Sequence, residues 1–518
     1  METQILALYK QLEDAVGGQT RLILVAAVLL FVTWSAISTL RTYLRLRHIP
    51  GPSGAGLSTW WLARSSRGGR IHLDLYEAIE KYGPNAPFTR VGPNQVITSD
   101  PVFMKRMLNA HSPYEKSDWY QSMRFDPTRD NILSIRDNDR HTLYRAKLAP
   151  GYSGRDIDHL EPRVDRNMLD FVNLLDRGYI SKNKTFDFGR KANFLTMDVI
   201  SDVSLGQAFG FLRSDSDLYE YIALLESKML YLCLTAVYPW IIDLMASPIF
   251  RGLLPSATDE HGFGKLIGIA KQAAATRFGP NPTVPAQNDM LGSFVAHGLN
   301  QADAESEVIV QVLAGSDTTA TAIRATTLHI ITNPRVCSAL YSEIHSAGLT
   351  SRPWNSIIPD AEARNLPYLQ AVIKEGLRIH PPAVGLVSKS VPASGDTYKG
   401  VYLPPGMKIG HCVWGVMRDK SVWGGNADEF RPERWLETKG DKLREMESTL
   451  ELVFGLGRWQ CLGRNVALME LNKVFVELLR RFELVVVKPG DPWKSRSSGL
   501  FVQRDFWVRG YRREAVGS

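Results

Sequence analysis

The sequence predicts a mainly helical fold with minor β sheet, preceded by one helix suited to a membrane. Three observations predict it: long stretches of helical periodicity, short strand-like pieces between them, and an uncharged apolar run near the N-terminus. The 518 residues are 44% hydrophobic, 10% aromatic and 22% charged. That mix allows a sizeable packed core and disfavours disorder, collagen or a long coiled coil. The net charge of +7 is spread along the chain without blocks of like charge, so nucleic acid is not an expected partner. The four cysteines, Cys233, Cys337, Cys412 and Cys461, lie far apart and indicate neither a disulfide framework nor a zinc site.

Leu22 to Leu40 is 19 residues without a charge, about 28 Å as a helix and enough to cross a bilayer core. Arg41, Arg45, Arg47 and His48 follow at once, whereas the preceding tail carries Glu2, Glu13 and Asp14 against Lys10 and Arg21. The positive-inside rule places the body in the cytosol. A cleaved signal peptide would have a shorter apolar region. We therefore expect a lumenal tail (1–21), a single-pass anchor (22–40), a basic Pro/Gly hinge around Pro50-Gly51-Pro52 (41–56) and one catalytic domain (57–518). On this topology the Asn183-Lys184-Thr185 sequon is idle.

Within the body, Phe88–Val91 and Gln95–Thr98 flank Gly92-Pro93-Asn94 and predict a hairpin. Further β pieces are expected over Tyr398–Trp414, Phe482–Val487 and Leu500–Val508. Helical periodicity covers Leu160–Leu175, Asn193–Leu205, Tyr219–Leu234, Ala302–Ile331, Leu366–Ile379 and Asn465–Phe482. Gly279–Pro285 is a loop by composition.

The chemistry concentrates in Phe454-Gly455-Leu456-Gly457-Arg458-Trp459-Gln460-Cys461-Leu462-Gly463, which opens a helix. Glycines let backbone approach a flat ligand, and amides at a helix start stabilise a thiolate, a ligand suited to iron. Upstream, Glu375-Gly376-Leu377-Arg378 puts a carboxylate and a guanidinium on one helical face. The long helix holds Ala314-Gly315-Ser316-Asp317-Thr318-Thr319, where a glycine and hydroxyls can loosen the ladder. His141 and Arg145 are one helical turn apart, and Lys389 follows His380-Pro381-Pro382.

Taken together and in order, these segments resemble the motif set of the cytochrome P-450 superfamily, from the hinge to the C-terminus. The cysteine loop matches F-x-x-G-x-R-x-C-x-G except that Trp459 stands where most members have Arg, the basic residue being Arg458 one place earlier. Phe430-Arg431-Pro432-Glu433-Arg434-Trp435 resembles the family's meander motif. The resemblance implies the P-450 fold (α+β) and haem b, with Cys461 as the axial iron ligand and Phe454, Gly455, Gly463 and Ala314 beside the cofactor. It implies propionate contacts from His141, Arg145, Lys389 and Arg458, and a supporting triad of Glu375, Arg378 and Arg434. Asp317 and Thr318 would be the acid–alcohol pair that relays protons.

The expected activity is that of a monooxygenase, placing one oxygen atom of O2 in a lipophilic substrate by hydroxylation or oxidative demethylation. No flavin or nicotinamide domain is evident, so NADPH would act indirectly, through NADPH–cytochrome P-450 reductase docking near Arg458, Arg464 and Lys473. The regions His111–Ile135, Phe209–Leu253, Ala383–Val387 and Ser497–Phe501 map to the substrate side in relatives. The details resemble fungal microsomal members related to pisatin demethylase, which implies the endoplasmic reticulum membrane and a terpenoid, polyketide or alkaloid intermediate. The rival readings are a haem-thiolate isomerase or dehydratase working without O2, and a non-enzymatic haem sensor or carrier.

Overall fold

The computed structural model describes residues 2–513 except 158, 251, 253 and 279–288. The expected loop Gly279–Pro285 therefore lies outside the described residues, as do Arg251 and Leu253 of the substrate-side region. Helix dominates the described residues and the sheets are small, as the periodicity predicts.

The first helix, Glu2–Arg45, runs unbroken through the expected tail and anchor. Its segment Leu22–Arg45 has mean hydropathy 2.3 and no buried residues, and is long and apolar enough to cross a membrane. The connection to the body is not a free hinge. Leu46 and Ile49 are buried in a cluster with Phe88, Phe103 and Tyr114, and Arg90 donates to the carbonyls of Tyr43, Gly56 and Pro93 at 3.3, 3.1 and 2.6 Å. A buried guanidinium satisfied by carbonyls from both segments resists their separation. The prolines stiffen this connection and the glycines allow it to bend, while the packing ties it to the body.

At the centre lies the helix Gln301–Ile331, buried along nearly all its length and packed most extensively on Phe188–Leu205. Asn300 caps it, its side-chain oxygen accepting the Asp303 amide at 2.9 Å. Gly315 makes the closest approach, since a Cβ there would stand 2.7 Å from Ile200. The helix is continuous through this stretch, so Gly315 serves packing and does not loosen the ladder as expected.

A five-stranded sheet runs in the order Thr89–Gly92, Gln95–Thr98, Lys408–His411, Lys389–Ser390, Glu115–Lys116. Only Gln95–Thr98 and Lys408–His411 pair in parallel. The antiparallel pairing of Glu115–Lys116 with Lys389–Ser390 sets Lys116 directly opposite Lys389. The expected β region at 398–414 ends early, because Trp414 belongs to a helical turn, Val413–Val416. The piece expected at Leu500–Val508 is two strands in different sheets, broken where Asp505 takes a left-handed backbone with φ 61°. The helix Arg464–Arg481 stops one residue before expected, as Phe482 opens a strand.

Candidate active site

Cys461 sits on the turn that enters Arg464–Arg481, its amide donating to Phe454 O at 2.7 Å. The loop keeps its glycines for definable reasons. Gly457 has φ 60° and passes so close to residues 108–110 that a Cβ would meet Leu108 O at 2.5 Å. At Gly463 the only neighbour of a Cβ would be the Cys461 sulfur, at 3.9 Å. Cys461 is exposed, yet burial raises its thiol above the ordinary value. The two facts agree for a sulfur facing an enclosed hollow. The Gly463 amide, the Arg145 charge and the Arg464 amide oppose that shift, which is how a helix start favours a thiolate.

On the long helix, Ala314 is exposed although its neighbours Leu313 and Ser316 are buried, so this face also borders a hollow. One turn on, Thr318 Oγ1 donates to Ala314 O at 2.8 Å. Its hydrogen is spent on its own helix and its lone pairs stay available. Asp317 points aside, accepting from Asn193 Nδ2 at 2.8 Å. Burial raises its carboxyl, while the Arg324 charge and the Asn193 bond oppose the shift.

Beside the cysteine loop the structure gathers basic groups that have no ion pair among the described residues. Burial drives Lys389 well below the ordinary lysine range, with the Lys116 charge adding to it. The Lys389 ammonium bonds Tyr120 Oη and Val387 O and stands 4.8 Å from the Trp459 ring centroid. His141 is buried with Nδ1 unpartnered, and the indole N–H of Trp459 and Nε2 of His411 are likewise orphaned. Burial first, then the charges of Lys116, Arg145, Lys389 and Arg458, pull His141 down to about 3. Arg145 Nη1 donates to Gln460 O at 2.7 Å, next to the cysteine. Arg458 is turned outward from this group, with Nε donating to Ala110 O at 3.0 Å.

Buried donors without acceptors cost stability unless a ligand supplies them. A planar ligand with two carboxylates, placed against the sulfur, would supply acceptors to His141, Trp459 and Lys389 at once, so the residues present fit haem. Sequence reasoning missed Lys116, Tyr120 and Trp459 as members of this group. The cross-strand register carries the only signal for Lys116, and it is invisible in one dimension.

The triad residues meet. Glu375 takes both Nη2 and Nε of Arg378 at 2.7 and 2.9 Å, Nε of Arg434 at 3.0 Å, Nε1 of Trp435 at 2.9 Å and the Arg431 amide at 2.9 Å. The remaining guanidinium N–H groups bond carbonyls of Met417, Ala427, Glu429 and Trp423. Five donors on one buried carboxylate lock the segment 423–435 to the helix Pro367–Ile379.

The family model for cytochrome P-450 matches residues 50–505. The chain belongs to the cytochrome P-450 family. Haem b is therefore its cofactor, and the family and its fungal relatives make the chain a haem-thiolate monooxygenase. This P-450 is 40% identical over 486 residues to cytochrome P-450 monooxygenase ABA1 of Pyricularia oryzae, covering 92% of this chain and 94% of the relative. It is 37% identical over 474 residues to aba1 of Botryotinia fuckeliana, covering 90% and 91%. With abl1 of Leptosphaeria maculans it shares 36% identity over 504 residues, 94% and 87% of the two chains.

One expectation about the docking face fails. Lys473 of this P-450 is fully buried, paired with Glu161 and Asp165 at 2.6 and 2.7 Å, so it offers no charge to a partner. Arg464 is partly exposed but pairs with Glu451 at 2.6 Å.

The buried histidines predict acid sensitivity. His72 is held at about 4 and His141 at about 3, burial being the main cause, against an ordinary 6.5. The unfolded chain binds these protons below about pH 6.5 while the folded chain does not. This contribution is thus intact above pH 6.5 and falls with pH through a window that ends at about 4 for His72 and about 3 for His141. At pH 5 the loss is about 2 kcal/mol for each histidine. Urea midpoints of haem-free protein measured across this range should show the fall, and His141→Gln should flatten it; an unchanged slope in that variant counts against the assignment.

Proposed function

We propose that this P-450 hydroxylates or oxidatively demethylates a lipophilic small molecule, a terpenoid, polyketide or alkaloid intermediate, and that the Cys461 sulfur would hold the haem iron. The observation that carries the reading is an exposed Cys461 at a helix start beside buried bases that have no ion pair among the described residues. When bound, haem supplies the activation of O2. The chain's own residues do the rest. The Gly463 and Arg464 amides favour a thiolate at Cys461. His141, Arg145 and Lys389 neutralise the propionates; Arg458 joins them through its charge alone. Phe454, Gly455, Gly463 and Ala314 would border the cofactor.

Asp317 keeps its proton more readily than an ordinary carboxyl because it is buried, which suits a group that delivers protons. Thr318 stands next in that relay, its lone pairs open to a proton or to water. Glu375, Arg378 and Arg434 hold the frame. Electrons come from NADPH through the membrane-bound reductase, and the helix Leu22–Arg45 anchors the enzyme in the endoplasmic reticulum membrane with its body in the cytosol. The identity to fungal monooxygenases supports a fungal secondary-metabolite role.

The full chain, assayed in reductase-containing membranes with NADPH and labelled O2, is expected to place one labelled atom in product. Product formed without O2 would favour an isomerase or dehydratase, and no product from any lipophilic substrate a sensor or carrier. In Thr318→Ala, product formation should fall by about 10²-fold while NADPH consumption continues. Equal product yield in that variant would remove Thr318 from the relay.

A further inference from the structure

One stripe of the central helix carries polar side chains from its solvent end towards the site. Asp303, Glu307, Gln311, Ala314 and Thr318 recur at spacings of four, four, three and four, which places them on one face of an α-helix. Asp303 stands in the first turn and is partly exposed, whereas Glu307 and Gln311 are buried, at 0% and 1% exposure. Ala314 borders a hollow and Thr318 follows one turn on. From Glu307 to Thr318 the stripe measures about 16 Å at 1.5 Å per residue.

The buried half of this stripe is short of partners. Glu307 Oε1 accepts the Ile132 amide at 2.7 Å, but Oε2 has no hydrogen-bond partner among the described residues. Tyr144 faces that carboxyl from the helix Asn138–Ser153, and its hydroxyl is also unpartnered. Gln311 donates to the Met290 sulfur at 2.9 Å, while its Oε1 stands unpartnered beside Tyr152. Ordered water satisfies buried polar atoms of this kind. Besides the two tyrosines, Glu307 faces Asp303 on its own helix and Lys116 on the strand Glu115–Lys116. Burial, with the Asp303 charge adding to it, outweighs the Ile132 bond, Tyr144 and Lys116 and raises the carboxyl to about 7. An acid of that strength gives and regains a proton at neutral pH.

Placing one oxygen atom of O2 in product and the other in water consumes two electrons and two protons. The electrons come through the reductase, and Asp317 delivers one proton before it must be recharged. We propose that Glu307 is a second proton donor to the same reaction, acting through water held at Tyr144 and Gln311 and passing over Ala314 to Thr318 Oγ1. The carboxyl O–H bond breaks and leaves a carboxylate, and the Thr318 hydroxyl hands on its own proton as it accepts one. Solvent at the Asp303 end of the stripe recharges Glu307. This rests on the reading of Thr318 as a relay residue.

The test separates the proton from the packing, because Glu307→Gln keeps an acceptor for the Ile132 amide and loses the acid. Infrared spectra of the haem-free full chain in lipid discs should show a protonated carboxyl band that fades as pH rises through about 7 and is missing from Glu307→Gln. With reductase and the lipophilic substrate that wild type oxidises under labelled O2, product per NADPH should fall about tenfold in Glu307→Gln, less than in Thr318→Ala because Asp317 still delivers. The wild-type yield should decline with pH over the same range and that of Glu307→Gln should not. Gln311→Leu should lower the yield and keep the infrared band. Absence of the band from wild type overturns the proposal, as does an unchanged yield in either variant. A yield in Glu307→Gln that falls only together with the urea midpoint and haem content also overturns it, since that is the mark of packing. Thr318→Ala with reduced yield beside an unaffected Glu307→Gln leaves the relay standing and removes Glu307 alone. Equal yield in Thr318→Ala, or no product from wild type, overturns the relay itself and this extension with it.

Discussion

In Cys461→Ser, the reduced carbon monoxide complex is expected to lack the strongly red-shifted Soret band of the wild type, and product formation to fall by roughly 10³-fold or more. The reason is local. Ser presents oxygen in place of a polarisable sulfur, and the Gly463 and Arg464 amides that favour a thiolate cannot ionise an alcohol at neutral pH. The variant should nevertheless fold, because the loop is held by Cys461 N to Phe454 O and by Gly457 against residues 108–110, none of which involves the sulfur. Far-ultraviolet circular dichroism and the urea midpoint should therefore match wild type. A variant that retains the red-shifted band would assign the axial ligand to another residue, and the mechanism would fall with that result.

Glu375→Ala is expected to cost about 3–5 kcal/mol of folding stability and to abolish haem retention, not merely slow turnover. Removing the carboxylate leaves the Arg378 and Arg434 guanidinium groups buried without their counter-charge, along with the Trp435 indole N–H. Their other bonds to backbone carbonyls persist, so the penalty is that of an uncompensated charge and not of a lost contact. Arg378→Lys should also be costly, since one ammonium cannot replace bonds to Glu375, Met417, Ala427 and Glu429. The measurements are thermal unfolding and the haem-to-protein ratio of purified variant. A stable, fully loaded Glu375→Ala with reduced turnover would show that the residue acts in the reaction.

Much of this was readable in one dimension. Leu22–Leu40 stands out because length and apolarity sufficient to cross a membrane are local properties of composition, and the long central helix because its periodicity persists from Ala302 to Ile331. The cysteine loop was legible for the same reason: ligand, glycines and helix start are contiguous. Trp459 was visible only as a departure, and its neighbour Lys389 is what gives it meaning, the ammonium resting on the ring where the family usually places a second cation. Around the connection at 41–56, Pro and Gly report local stiffness and freedom but not the Arg90 side chain that binds it to the body.

Thus the sequence by itself determined an N-terminal helix long and apolar enough to cross a membrane, the mainly helical class, the family and the residues of its contiguous motifs, because each of these is encoded in near neighbours. Tertiary structure alone decided that Lys473 is spent on Glu161 and Asp165, that Gly315 packs on Ile200, and that Lys116 faces Lys389. Those outcomes depend on strand register and helix packing between distant segments, and the charge of a lysine says nothing of whether water, an acid or another lysine will stand beside it.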